Sequence, residues 1–541
     1  MWASRSRATN KPCIQLDSIK SAAISRRPHD LPVTPAQVKG AQTELAYRNV
    51  IVDAICITVL IAYFLYFALP AVGGHFAQDI IPELYRYWHY GPLKWLWANI
   101  CFWRHTIFFF RPAGVLYCGV LYDCFGLNPR PYHIAQISIL AASIPMLFYL
   151  IRSLSSSRSV AFLAVLAFCY HVNLMSVIFV DSFSYDVLCG FFYFAALTYY
   201  LHIRERHVQL RPFQLIAFLA LYICALNFKE TAVTLPVIVL IYEVLRSPWW
   251  GDWRQFIGWA RSFATPALIA GLITALYIYG RTQGPTSLAT AGPYQPRYSW
   301  SNFLKSNAYF VSQISYGFAV SEKALLALWA LVFIYAFLRR DRMLWLMAFW
   351  VVIVPLPLAF IVPIRGAGRL YLPLFGWALI FAKVASDLIA LLCKCSLLIG
   401  QSTRVDAAHG KISPRTFRIG AILTIALALG TFTRWKNQPS LVRAYQNTGQ
   451  ETSHVIEAFR SLHLHPAPGS TILVKGNPLI RGQGWDVRFI PFLMWNDHSL
   501  QICLDGLNKP TPQQQAKMDY VILLTEFHAE VVRSPDNPKS E

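Results

Sequence analysis

The chain has 541 residues, of which 55% are hydrophobic and only 14% are charged. An ordinary soluble domain carries about 25% charged residues, so this composition excludes that class. The formal net charge of +21 is explained by basic loops beside membrane segments rather than by nucleic-acid binding, because apolar runs of about 18 to 22 residues, long enough to span a bilayer, recur along the chain.

Residues 1–48 are polar and basic, and we predict that they form a cytoplasmic tail. Eleven apolar segments follow, each predicted to be a transmembrane helix of an all-α polytopic membrane protein. They are 49–70, 133–151, 159–180, 184–202, 212–227, 231–245, 264–281, 323–338, 343–362, 370–393 and 417–434. Every loop that this order places inside is net basic, and positive charge resists translocation. The pattern therefore predicts a cytoplasmic N-terminus and an extracytoplasmic segment from residue 435 onward.

The transmembrane domain 49–434 has two long loops, residues 71–132 and 282–322, which are predicted to lie on the extracytoplasmic side. The first mixes tryptophans with arginines and lysines, a combination that suits a surface at the level of the lipid headgroups. It also carries Asp79 and Glu83. We interpret this loop as one wall of an active site at the membrane face.

Residues 435–541 differ from the transmembrane domain in having short apolar runs instead of long ones. The stretch 440–463 is typical of a helix, and 471–476, 489–495, 500–505 and 519–526 are typical of short strands separated by turn residues. A small extracytoplasmic α/β domain is the predicted result.

Ionisable side chains gather on the predicted outer side, where they are costly and usually functional. The carboxylates are Asp79, Glu83, Asp181, Asp186 and Glu230, and the cations are Arg111, Lys229, Arg365 and Arg369. Cations suit a phosphate, and a carboxylate suits the removal of a proton from a hydroxyl. This combination indicates a site for an anionic substrate held in the membrane. The same residues also have non-functional interpretations. These are a solvated helix turn at Asp79 and Glu83, an interfacial ion pair at Lys229 and Glu230, and a belt of tryptophans at the membrane interface.

Four stretches occur in an order found in one enzyme superfamily. They are Asp79 after the first helix, Phe110-Arg111-Pro112 followed by Phe125-Gly126-Leu127-Asn128-Pro129, Phe228-Lys229-Glu230-Thr231, and Gly368-Arg369-Leu370-Tyr371. In these the chain resembles the GT-C superfamily of polyprenyl-phosphate-sugar-dependent glycosyltransferases. It is most similar to bacterial relatives of the dolichyl-phosphate-mannose–protein mannosyltransferases and of the transmembrane-TPR O-mannosyltransferases, without the TPR repeats.

The resemblance implies a bundle of about eleven helices and an inverting sugar transfer in a bacterial inner membrane. It implies Asp79 as general base, with Glu83 as the fallback and Asp186 or Asp181 as a second acid. Lys229, Arg365, Arg369 and Arg111 would bind the lipid phosphate, and Glu230, Trp88 and Tyr371 would make other substrate contacts. The partners would be a polyprenyl-phosphate sugar, membrane lipids and a glycan, lipid or protein acceptor. Some members use a divalent metal such as Mg²⁺ or Mn²⁺ and others use none, and no metal ligand is assigned.

Other functions remain open on the sequence alone. A secondary transporter would favour an inverted repeat and charges at mid-membrane, whereas no convincing repeat is present and the charges collect at one face. A lipid-linked polysaccharide ligase or polymerase would share the polyprenyl donor and the arginines. A non-catalytic scaffold would have no affinity for any polyprenyl-phosphate sugar.

Overall fold

The computed structural model describes residues 35–77, 79–103, 111–206, 209–246, 252–283, 295–361, 367–402, 413–476, 487–508 and 510–535. The chain divides into two compact units, residues 1–56 and residues 57–541. In the described part, the first unit contains the beginning of the helix Pro35–Ala68. The remaining helices and the C-terminal sheet lie in the second unit.

The chain is mostly helical. The longer helices of the predicted transmembrane part are Pro35–Ala68, Pro129–Ser155, Arg158–Cys169, Ser184–Arg206, Pro212–Phe228, Leu235–Arg246, Thr265–Thr282, Glu322–Arg339, Arg342–Ile353, Tyr371–Ser402 and Pro414–Lys436. Several begin where a polar side chain accepts a hydrogen bond from the first turn, as Asn128, Ser321 and Asp341 do. Seven helical stretches among the described residues are long and apolar enough to cross a membrane. This indicates a multi-pass membrane protein, although the predicted count of eleven crossings is not confirmed.

Several predicted spans are interrupted at one end of the bundle, among them 159–180 and 231–245. The segment 159–180 forms the helix Arg158–Cys169 and then only short helical turns, Val172–Leu174, Ser176–Phe179 and Asp181–Phe183. The segment 231–245 begins as a 3₁₀ turn, Glu230–Thr234, before the helix Leu235–Arg246. Irregular backbone at membrane depth is tolerated where it is buried in protein or lines a polar cavity. These breaks therefore mark the end of the bundle where a site can form.

The two long loops contain helices of their own. Loop 71–132 forms Ile80–Tyr90, Pro92–Ile100 and Pro112–Phe125, and loop 282–322 forms Trp300–Ile314. Ile80, Ile81 and Leu84 of the first loop are fully buried in a hydrophobic core that also contains Val455 and Ile522 of the C-terminal segment. The first loop and the C-terminal segment thus pack as one body.

The C-terminal segment is a small α/β unit. Its helices are Pro439–Gln446, Gln450–Ser461, Phe489–Trp495, Asp505–Asn508 and Pro512–Ala516, and its strands are β1 (Thr471–Lys475), β2 (Gln501–Leu504), β3 (Tyr520–Leu524) and β4 (Ala529–Arg533). The sheet order is β2-β1-β3-β4, with β1 parallel to β2 and to β3 and with β4 antiparallel to β3.

The prediction of a strand at 489–495 is wrong, because Phe489–Trp495 is a helix. Its aromatic residues are typical of a strand, but they pack against the helix Ile80–Tyr90, with the rings of Phe489 and Tyr85 4.3 Å apart. Tertiary packing has overridden local propensity at this position.

Candidate active site

A cavity of about 840 Å³ opens where the interrupted helices, the first loop and the C-terminal segment meet. Five of the predicted site residues line it together, namely Asp79, Arg111, Asp186, Lys229 and Arg369. They come from positions up to 290 residues apart in the chain. The cavity therefore combines carboxylates and cations in the way that the sequence predicted for an anionic substrate.

Asp79 is an exposed residue at the mouth of the cavity, directly before the helix Ile80–Tyr90. On one side of it, the backbone N–H of Ala77 donates a 3.0 Å hydrogen bond to Oδ1 of Asp181, which is buried. On the other side, Ile80 and Ile81 are fully buried. The loop is thus fixed on both sides of Asp79, and its carboxylate is presented to the cavity.

Lys229 and Asp186 form a buried ion pair. Nζ of Lys229 donates to Oδ1 of Asp186 at 2.5 Å, and each residue is 7% exposed. Lys229 follows the end of the helix Pro212–Phe228, and Asp186 lies in the first turn of Ser184–Arg206. Gly368 permits this packing, because a Cβ there would lie 2.5 Å from the carboxyl carbon of Asp186. The two charges are therefore held close together at the cavity wall.

Arg111 and Glu230 form a second, more accessible pair. Nη2 of Arg111 donates to Oε1 of Glu230 at 3.1 Å, and the guanidinium lies 5.6 Å from the ring centre of Tyr185. Burial favours a higher pKa for Glu230, but the positive charges of Arg111 and Lys229 outweigh burial and lower its pKa to about 2. Glu230 is consequently an anion over the whole physiological range, and it orients Arg111 towards the cavity.

Arg369 is the third cation of the cavity wall. It lies in the 3₁₀ turn Ala367–Leu370 that precedes the helix Tyr371–Ser402, and it is half-buried. Arg365, predicted to act with it, lies outside the described residues.

Five predicted residues that the structure describes do not line the cavity. Asp181 and Glu230 contact Ala77 and Arg111, which do line it, and the other three are Glu83, Trp88 and Tyr371. Glu83 accepts a 2.8 Å hydrogen bond from Arg86, one turn along the same helix. The indole of Trp88 donates to Asn496 at 2.5 Å, and its ring stacks on His498 with the centres 3.7 Å apart. Trp88 therefore contacts the C-terminal segment. Tyr371 is buried in the bundle against Gly190, where a Cβ would lie 2.4 Å from its ring.

The cavity has a wall that the sequence did not predict. This wall consists of residues of the C-terminal segment that line the cavity, namely Tyr445, Asn447, Thr448, Gly449 and Glu451. The sequence predicts one helix over 440–463, whereas two helices form, Pro439–Gln446 and Gln450–Ser461. The Asn447-Thr448-Gly449 triplet, with glycine as a helix breaker, was the available signal for the break between them.

The acids of the cavity do not converge as metal ligands. Within the described ranges, no group of three or more His, Cys, Asp or Glu side chains is arranged to hold a metal ion. Asp186 is instead committed to the ammonium of Lys229. The described acids of the cavity therefore do not form a ligand cluster of this size.

Comparison with known proteins identifies the fold. No family model and no curated protein sequence matches the chain. Similar solved structures include ArnT from Cupriavidus metallidurans bound to undecaprenyl phosphate, with 12% identity, a TM-score of 0.50, and coverage of 88% of this chain and 97% of that chain. ArnT from the same organism in the apo state has 14% identity, a TM-score of 0.47, and coverage of 88% and 93%. The likeness to the lipid-bound structure shows that the chain shares the fold of ArnT, which agrees with the polytopic helical fold that the sequence predicted.

Proposed function

We propose that this chain is a membrane glycosyltransferase that moves a sugar from a polyprenyl-phosphate donor to an acceptor hydroxyl on the extracytoplasmic side. The observation that carries this proposal is the cavity in which Asp79 lies together with Arg111, Lys229 and Arg369. A carboxylate for proton transfer and a cluster of cations for a phosphate are the two components that such a reaction requires.

The lipid phosphate binds beside Lys229, Arg111 and Arg369. Arginine forks match phosphate oxygens in bidentate geometry, and the lysine ammonium supplies a compact charge. In the structure, carboxylates hold Lys229 and Arg111 in place, so an arriving phosphate meets cations that are already oriented. The ArnT structure that shares this fold is bound to undecaprenyl phosphate, and this supports a polyprenyl phosphate as the anionic group.

Asp79 acts as the general base. The acceptor hydroxyl transfers its proton to the Asp79 carboxylate while its oxygen forms a bond to the anomeric carbon of the sugar. The bond between that carbon and the phosphate oxygen breaks, and the polyprenyl phosphate leaves with its charge held by the cations. One displacement inverts the anomeric configuration. Asp79 suits this role better than Asp186 or Asp181, because Asp186 is paired with Lys229 and Asp181 holds the backbone of Ala77.

The test is to purify the protein in detergent and measure two properties with undecaprenyl-phosphate sugars. The first is binding of the donor, and the second is transfer to an acceptor pool or to water. Asp79→Asn should retain donor binding and lower the transfer rate by roughly 10²- to 10⁴-fold, as expected for loss of a general base.

A matched control is Glu83→Gln, four residues along the same loop, whose carboxylate is paired with Arg86. This variant should keep the wild-type rate. Full activity of Asp79→Asn would refute the assignment of the base. If the wild-type protein bound no polyprenyl phosphate at all, the proposed function itself would be wrong.

A further inference from the structure

The break between the first two helices of the C-terminal segment lines the cavity together with residues of the first loop and of the transmembrane bundle. Resting on the proposed function, we infer that this wall, residues 445–451, contacts the donor sugar and selects neutral sugars over sugar acids. Glu451 is the residue that discriminates. The C-terminal segment is then part of the active site, as a specificity element next to the catalytic loop.

The wall is tightly fixed to the loop that carries Asp79. Gly449 has a φ of +84°, and a Cβ there would lie 1.8 Å from the carbonyl oxygen of Phe76. Only glycine permits this approach without strain. The Gln446 side chain donates to the carbonyl of Pro70 at 2.7 Å, and the His75 ring and the Ser453 hydroxyl share a 3.0 Å hydrogen bond. Residues 445–451 therefore keep a constant position relative to the segment that leads to Asp79.

The chemistry of this wall differs from that of the rest of the cavity lining. The lining residues from the bundle and the first loop include the cations Arg111, Lys229 and Arg369. Its described lining residues include Tyr445, Asn447, Thr448 and Glu451, which have polar side chains, and no lysine or arginine. Such a wall does not suit a phosphate. It does suit a ring bearing several hydroxyl groups.

The order of groups in the donor gives the same assignment. In a polyprenyl-phosphate sugar the sugar is attached directly to the phosphate, so a phosphate on the cations places the sugar within the remaining cavity. The anomeric carbon must face the hydroxyl that Asp79 deprotonates. The rest of the ring then faces residues 445–451, which are held against the backbone at Phe76 and Ala77.

Glu451 gives this contact its selectivity. A carboxylate accepts hydrogen bonds and cannot donate them, so it favours sugar hydroxyl groups. It repels a second carboxylate, and like-charge contacts in a partly buried site are unfavourable. Glu451 lies in the first turn of Gln450–Ser461 and is half-buried. A neutral sugar therefore fits, and the corresponding uronic acid is disfavoured.

The test uses undecaprenyl phosphate alone and matched pairs of undecaprenyl-phosphate sugars, glucose with glucuronic acid and galactose with galacturonic acid. Dissociation constants are measured for the wild type and for Glu451→Gln. The wild type should prefer the neutral member of each pair. In Glu451→Gln this preference should fall by about ten- to hundredfold, the effect of one hydrogen bond to a charged group. Affinity for undecaprenyl phosphate alone should not change.

Glu457→Gln is the matched control. Glu457 lies on the same helix, is 66% exposed and pairs with Arg460 at 2.5 Å, so its substitution should change none of these constants. The inference is overturned if Glu451→Gln leaves the preference within both pairs unchanged, or if it weakens undecaprenyl phosphate alone as much as the sugar donors. A wild-type protein that binds undecaprenyl phosphate but has no preference within either pair also overturns it while leaving the proposed function standing. A wild type that binds no undecaprenyl phosphate refutes both.

Discussion

The buried pair of Lys229 and Asp186 allows structural and functional roles to be separated by a double-mutant cycle. Each side chain is at most 9% exposed, and the two charges are 2.5 Å apart. Removing one partner of a buried pair leaves an uncompensated charge and costs about 3–5 kcal/mol. Lys229→Met and Asp186→Asn should therefore each lower the free energy of unfolding by about that amount. The double variant should recover most of the loss, because no isolated charge remains.

The unfolding free energies are measured by SDS titration in mixed micelles, and undecaprenyl phosphate binding is measured on the same samples. Stability should return in the double variant, whereas binding should not, because both variants with Lys229→Met lack the cation that holds the phosphate. The result that would refute this reasoning is additivity of the two single losses within about 0.5 kcal/mol. Restored binding in the double variant would refute the assignment of Lys229 to the phosphate.

The same helix provides a control pair. Arg204 and Glu243 form an ion pair at 2.7 Å, with side chains 3% and 0% exposed. Arg204 lies about 27 Å along the helix Ser184–Arg206 from Asp186, as 18 residues at ~1.5 Å each require. Glu243→Gln should destabilise the protein to a similar degree and leave undecaprenyl phosphate binding unchanged. A loss of binding in this variant would mean that instability alone explains the result for Lys229.

Two further predictions concern the loop contacts and the second ion pair. Gly449→Ala should lower both thermal stability and transfer rate, because its Cβ would clash with the carbonyl of Phe76; wild-type values for both would show that the close approach is not required. For Glu230→Gln, the expected loss of stability depends on pH. The folded-state pKa of Glu230 is about 2, below the ordinary 4.5, so the stabilisation is complete above pH ~4.5 and is lost as the pH falls towards 2. The shift corresponds to roughly 3 kcal/mol, but with both side chains about a third exposed we expect about 1 kcal/mol. The melting temperatures of the wild type and Glu230→Gln should begin to converge below pH ~4.5 and coincide near pH 2, and a constant difference would contradict the pairing with Arg111.

The sequence by itself determined the class of protein. Long apolar runs need no tertiary information to be identified, because a helix that crosses a bilayer must satisfy its own backbone and bury an apolar surface in lipid. The helices Pro129–Ser155, Ser184–Arg206 and Tyr371–Ser402 lie close to their predicted spans. Asp79 and Lys229 could be chosen in the same way, because ionisable groups at the ends of apolar segments are conspicuous.

Tertiary structure alone decided how these residues are paired and what faces them. No local pattern shows that Lys229 is neutralised by Asp186, 43 positions away, or that Arg111 pairs with Glu230, 119 positions away. The family resemblance ranked Asp79 above Glu83, but no local pattern shows which of the two lines the cavity, since the direction of each side chain depends on how the helix Ile80–Tyr90 packs. The wall at Glu451 lies outside the predicted transmembrane domain. It reaches the cavity only because the C-terminal segment and the first loop share a core, and such contacts between distant segments are not encoded by hydrophobic periodicity.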